Sequence, residues 1–179
     1  MWSGNWIRQT GRQRILASFN NAAVGTALGQ ANGVQALDRS RQVIAVCGDG
    51  GFTMLLGEFM TSVEHRLPIK VVVFNNGEWG LVHLEMEQAS LPAFKGSDFP
   101  NMDFAAFARA CGVEGFSARH PDELERAVRK LLVSPGAAIL DVKVDADELP
   151  TLPHIKVDQV WKFGLARVKE AIISASGAS

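Results

Sequence analysis

Between Gln42 and Gly77 the chain runs twice through a short β-branched stretch and stops each time on turn-forming residues. Gln42 to Val46 (QVIAV) leads into Gly48-Asp49-Gly50-Gly51, and Ile69 to Phe74 (IKVVVF) leads into Asn75-Asn76-Gly77. The span between them, Phe52 to His65, has Met54, Leu55, Phe59 and Val63 at helical spacing, and Pro68 ends any helix before the second run. That second run is apolar without alternation, as in a strand covered on both faces. Strand, helix-length segment, strand is the signature of a parallel crossover.

The same period continues on either side. Asn20 or Asn21 is placed to N-cap a helix over AAVGTALGQANGVQAL, Ala22 to Leu37. Phe104 to Ala110 reads as helix and Glu114 to Ala118 as a strand. Pro121 takes an N1 position for a helix over Asp122 to Leu132, and Ala137 to Val144 (AAILDVKV) is a further strand. The expectation is a single α/β domain over residues 1–179, a doubly wound, mainly parallel sheet with helices on both faces.

That architecture gives the two strand-end motifs a common address. In such sheets ligands bind beyond the carboxyl ends of the strands. If the two strands are neighbours, Asp49 and Asn76 converge there. Gly50 and Gly51 open the next helix, where free N–H groups and the helix dipole favour a phosphate. A carboxylate, a carboxamide oxygen and phosphate oxygens suit Mg²⁺, which takes few protein ligands. The alternative is ordinary turn chemistry, since Asp-Gly and Asn-Gly are common turn dipeptides. Two successive strand ends favour a site for a diphosphate held through a divalent ion.

GDG, 24 residues, then NN resembles the cofactor signature of the thiamine diphosphate-dependent enzymes. The likeness extends to Ser18-Phe19-Asn20 before the AAVGTALGQANG helix, and to LEMEQ, FARACGVEGF and DADELPTLPHIKVDQ. Within the family these stretches most resemble pyruvate oxidases and quinone-linked pyruvate dehydrogenases, with acetohydroxyacid synthases the nearest rival. The resemblance implies the C-terminal, diphosphate-binding domain of a three-domain enzyme that decarboxylates pyruvate or a similar 2-oxo acid. It implies Mg²⁺ ligands at Asp49, Asn76 and the main-chain oxygen of Glu78. Cofactor contacts fall on Ala22, Val24, Gly48, Asp49, Gly50, Gly51, Asn76, Glu78 and Gly80. Ala22 and Val24 depart from the family, which usually has a glycine at the first and a bulky Met, Ile or Leu at the second. Relatives carry an apolar residue and a glutamate at Val82 and Glu85, facing the reacting carbon. A glutamate on a short helix can equally be solvated.

The resemblance also sets what the chain lacks. The family's activating glutamate belongs to the N-terminal domain and the flavin site to the middle one, so FAD is expected only in the full-length protein. The isolated chain is expected to be inactive. An acetolactate synthase-type carboligase, or a natural diphosphate-binding subunit of a split decarboxylase, are the alternative readings. A phosphate-accepting receiver of flavodoxin-like topology also puts an Asp at a strand end. It needs an acidic cluster before that Asp, which is missing here.

Charge and length exclude other classes. A formal net charge of −1 offers nothing to nucleic acid or an anionic membrane. Cys47 and Cys111 have no metal-ligand spacing, so Cys47 reads as a core filler. His65, His83, His120 and His154 are scattered and read as surface or packing residues. No apolar run approaches the ~20 residues of a membrane span, and MWSGNWIRQTGRQR lacks a signal peptide's apolar middle and looks like a chain entered partway. A cytoplasmic location is expected. At the C-terminus, Val157, Val160, Trp161, Leu165, Val168 and Ile172 form an amphipathic helix over 157–174. The simplest reading packs that stripe back on the domain. The alternative uses it in homo-oligomer formation or peripheral membrane contact, as the C-terminal region of quinone-linked relatives implies.

Overall fold

The computed structural model describes residues 4, 6–91, 97–98, 100, 102–146, 148 and 157–175. The chain divides into two compact units, one of residues 1–76 and 101–145, the other of 77–100 and 146–179. The closing stretch DADELPTLPHIKVDQ and His154 lie largely outside the described residues.

The first unit is built on four strands, β1 (Ile44–Gly48), β2 (Lys70–Asn75), β3 (Glu114–Ala118) and β4 (Ala138–Lys143). They form one sheet in the order β1-β2-β4-β3, and every pairing is parallel. Ile44 pairs with Lys70 and Gly48 with Phe74, so β1 and β2 run in the same direction to the same sheet edge, where β2 extends one residue further, to Asn75. The helices are α1 (Thr26–Leu37), α2 (Asp49–Met54), α3 (Glu58–Glu64), α5 (Phe104–Ala110) and α6 (Pro121–Val133), with α4 (Gly80–Gln88) and α7 (Val157–Ala175) in the second unit.

Side-chain alternation along the strands divides the core in two. Val71, Val73 and Ile139 join Leu28, Phe52, Phe59 and Phe104 on one face. Leu140 and Val142 join Ala127 and Leu131 of α6 on the other, where Val72 and Phe74 stay half-buried. On the first face Phe52 meets Phe59, Phe104 and Phe107 edge-on, with ring centroids 5.5–6.2 Å apart. Helix α5 lies so close to β3 that a Cβ on Gly115 would stand 2.1 Å from the Ala105 carbonyl oxygen.

Two helices differ from the sequence expectation. The first begins at Thr26 instead of Ala22, because Gly25 has φ 89° and breaks the run. Asn20 and Asn21 therefore lie in a turn, not at an N-cap. The expected helix from Phe52 to His65 starts earlier, at Asp49, and is interrupted at Leu55–Gly57. Across the interruption the amides of Leu55, Leu56, Glu58, Phe59 and Met60 each bond the carbonyl three residues back. These tighter turns keep Phe52 and Phe59 both fully buried.

In the second unit α7 reverses the expected face. Trp161, Leu165, Val168 and Ile172 are exposed, and Ala166 is buried. Polar contacts fasten the helix instead: Arg167 Nε stands 2.7 Å from Glu87 of α4, and Lys169 Nζ donates to the Ser90 carbonyl at 2.8 Å. The side chains of Val157 and Val160 lie outside the described residues.

Candidate functional site

Parallel pairing of β1 with β2 puts the residue after each strand at the same sheet edge. Asp49 follows Gly48, and Asn76 follows Asn75. Asp49 is the first residue of α2 and is only 3% exposed. Its Oδ1 accepts the Gly50 amide at 2.8 Å, and the Thr53 hydroxyl donates to the carbonyls of Asp49 and Gly50. Asp49, Gly50 and Gly51 thus supply the first-turn amides of α2, earlier in the chain than the sequence predicts. Gly48 is exposed at the strand end, and Asn76 is half-buried.

Asn75 does different work from Asn76. It is buried, and its Nδ2 donates to the Met102 carbonyl and to Asp141 Oδ1, both at 3.0 Å. Asp141, buried on β4, also accepts the Phe104 amide through Oδ2 at 3.2 Å. One carboxylate therefore ties the end of β2 to β4 and to the first residue of α5. The sequence reading passed over Asp141. Its signal was available: a lone carboxylate inside the apolar run AAILDVKV has to be satisfied by donors from its neighbours.

The segment before α1 comes against α2. A Cβ on Gly51 would stand 3.3 Å from Val24 Cγ1, and one on Gly25 would stand 3.2 Å from Met54 Cβ. Missing Cβ atoms on both sides allow this approach. Val24 is 54% exposed beside α2. Ala22, where the family usually has glycine, takes φ 46°, a left-handed backbone. Its amide bonds the Ser18 carbonyl at 3.0 Å, which closes the turn. The departure noted at Ala22 therefore falls on a position that favours glycine for backbone reasons.

The remaining sequence-predicted residues belong to the second unit. Gly80 is the first residue of α4. Leu81, Val82 and Glu85 are exposed along α4, and Leu84 and Glu87 are buried. Glu78 forms an isolated bridge with Asp98, and its Oε2 lies 3.0 Å from His83 Nδ1.

The donor set fits the group the sequence suggests. Asp49 and Asn76 bring hard oxygens with one formal charge, as Mg²⁺ needs beside a diphosphate. The paired glycines after Asp49 keep the amide edge free of side chains.

Comparison with known proteins shows the family. Residues 1–142 match the family described as thiamine pyrophosphate enzyme, C-terminal TPP binding domain. A Bacillus subtilis (strain 168) protein, YdaP, provisionally named as thiamine pyrophosphate-containing, is 32% identical over 86% of this chain and 26% of its own length. Acetolactate synthase 2, chloroplastic, of Nicotiana tabacum is 32% identical over 86% of this chain and 24% of its own. Among solved structures, benzoylformate decarboxylase from Polynucleobacter necessarius superposes with a TM-score of 0.64 at 27% identity, over 73% of this chain and 25% of that one. The chain spans about a quarter of the length of these curated relatives.

Proposed function

The chain belongs to the thiamine pyrophosphate enzymes as a C-terminal TPP-binding domain, and from that we propose that it holds the cofactor's diphosphate through Mg²⁺ at the ends of β1 and β2. The parallel pairing of the two strands, which brings Asp49 and Asn76, the residues next in the chain, to one sheet edge, carries this reading. Asp49 and Asn76 ligate the ion, and the resemblance adds the main-chain oxygen of Glu78. The first-turn amides of α2, at Gly50 and Gly51, take phosphate oxygens. Val24 supports the body of the cofactor from the loop closed by Ala22, Gly48 lines its path, and the resemblance adds Gly80.

Thiamine diphosphate supplies, when bound, a nucleophilic carbon and an electron sink for decarboxylating a 2-oxo acid. The protein's part is to orient it and exclude water. Val82 and Glu85 are the side chains of this chain proposed to meet the substrate. Val82 sets an apolar wall, and Glu85 holds or moves a proton at the reacting carbon.

Two fates of the decarboxylated substrate separate the finer readings. The motif likeness to pyruvate oxidases supports oxidation, with electrons passing to FAD in the full-length protein. The acetolactate synthase named among the relatives supports carbon–carbon ligation instead. Pyruvate assays on the full-length enzyme separate them: acetate with flavin reduction marks the first, and acetolactate without net oxidation marks the second. Turnover requires the other domains, and a homo-oligomer is the proposed assembly. No described helix is long and apolar enough to cross a membrane. The exposed stripe on α7 is proposed for peripheral contact in a cytoplasmic enzyme, and liposome sedimentation tests it.

A further inference from the structure

The second unit holds a polar cluster that the thiamine site does not use. His83 and Glu87 lie one turn apart on α4, and Glu170 comes from α7. One donor atom from each lies within 4.8 Å of the others. Glu87 is 0% exposed, and both its carboxylate oxygens are buried without a hydrogen bond. Arg167 approaches it, with Nε 2.7 Å from Oε1 but out of alignment for a full hydrogen bond, and Oε2 accepts nothing.

Such an oxygen is costly to bury. Protonation removes the charge but creates an O–H donor with nothing to receive it. A cation bound at Oε2 satisfies it directly. The imidazole stands close by: Nε2 faces Glu87 Oε1 at 3.5 Å, and Nδ1, also without a hydrogen bond, lies 3.0 Å from Glu78 Oε2. A small turn of the ring gives that nitrogen a hydrogen bond to the carboxylate, the outer arrangement that orients metal-bound imidazoles.

We propose that His83, Glu87 and Glu170 form a second cation site, for a divalent transition metal of the Zn²⁺ type, with Arg167 as its competing occupant. One imidazole and two carboxylates suit Zn²⁺ better than Mg²⁺ and leave a coordination position open. Bonds of about 2.0 Å put tetrahedral donors about 3.3 Å apart, so donors spread over as much as 4.8 Å need to close by up to about 1.5 Å. The Arg167 guanidinium spans the same two carboxylates, with Nη1 3.9 Å from Glu170 Oε2. Its side chain is 41% exposed, so it can swing outward when the metal enters. The site shares no side-chain ligand with Asp49 and Asn76, and it stands or falls independently of the thiamine reading.

The test uses the purified chain without thiamine diphosphate, titrated with Zn²⁺ against a chromophoric chelator, with Co²⁺ visible absorption reporting coordination. Binding of one ion is expected, weakened at least about tenfold by His83→Gln and by Glu87→Gln and strengthened by Arg167→Gln. His83 is partly exposed, so His83→Gln keeps the test open should Glu87→Gln fail to fold. Equal affinity in the wild-type and His83→Gln chains overturns the proposal. So does the absence of stoichiometric binding in both the wild-type and Arg167→Gln chains, or loss of binding in Asp49→Asn alone.

Discussion

Asp141→Asn tests how the candidate site is held from behind. The two side chains have nearly the same shape, so the substitution leaves no cavity and changes only charge and hydrogen bonding. Asp141 accepts from Asn75 Nδ2 at 3.0 Å and from the Phe104 amide at 3.2 Å. Asparagine has one acceptor oxygen, so either rotamer turns its NH₂ toward one of these donors. One charge-assisted bond is lost and a donor faces a donor, at a cost of about 1.5–3 kcal/mol for the bond. Relief of the buried charge offsets part of this. The net expectation is a loss of about 2 kcal/mol in urea unfolding, with an unchanged denaturant slope. Because Asn75 precedes Asn76, affinity for Mg²⁺–thiamine diphosphate falls as well. Equal or greater stability in Asp141→Asn would refute the double-acceptor role and the claim that this carboxylate positions the strand end.

Ala22→Gly relieves the left-handed backbone at φ 46° and should raise stability by about 1 kcal/mol, or Tm by roughly 2–4 °C; a lower Tm contradicts the assigned turn. Burial pushes the Cys47 thiol up to about 12, so in the folded chain at neutral pH it should resist a disulfide reagent until denaturant is added. Reaction at the same rate before and after unfolding rejects its core placement. Burial raises the Glu87 carboxyl above its ordinary value of 4.5, with Arg167 and His83 opposing. A raised folded-state value gives stability that is full below the unfolded value and lost as pH rises through the folded one. Glu87→Gln should therefore abolish a decline in stability that the wild type undergoes above about pH 4.5, and parallel pH profiles for the two chains would contradict this.

The sheet was legible because its strands are continuous apolar runs between turn residues. IKVVVF reads as an interior strand, and β2 is flanked by β1 and β4 with a core cluster against each face. Helix starts were less legible. A good N-cap at Asn20 or Asn21 competes with Gly25, and the left-handed backbone at Gly25 wins locally. In α7 the apolar pattern pointed to the wrong packed side, because Arg167, Lys169 and their partners on α4 decide the contact. Hydrophobic periodicity cannot register such long-range polar pairs. At the site, the Asp-Gly-Gly and Asn-Asn signals marked the strand ends, but the Asn75–Asp141 tie joins residues 66 positions apart. The likeness to a family reached Asp49 and Asn76 directly; the reason Asn75 stands beside Asn76 became visible only in the fold.

The central claim is that Asp49 and Asn76 hold a diphosphate through Mg²⁺, and calorimetric titration of the chain with thiamine diphosphate, with and without Mg²⁺, tests it most directly. The account predicts binding that needs the metal and weakens at least about tenfold in Asp49→Ala. Asn76→Ala should behave likewise, and Asn76→Asp more mildly, since it keeps the oxygen and adds negative charge beside phosphate. Thiamine without phosphate should bind poorly to every one of these chains. Metal-independent binding, or equal affinity in Asp49→Ala and wild type, would contradict it.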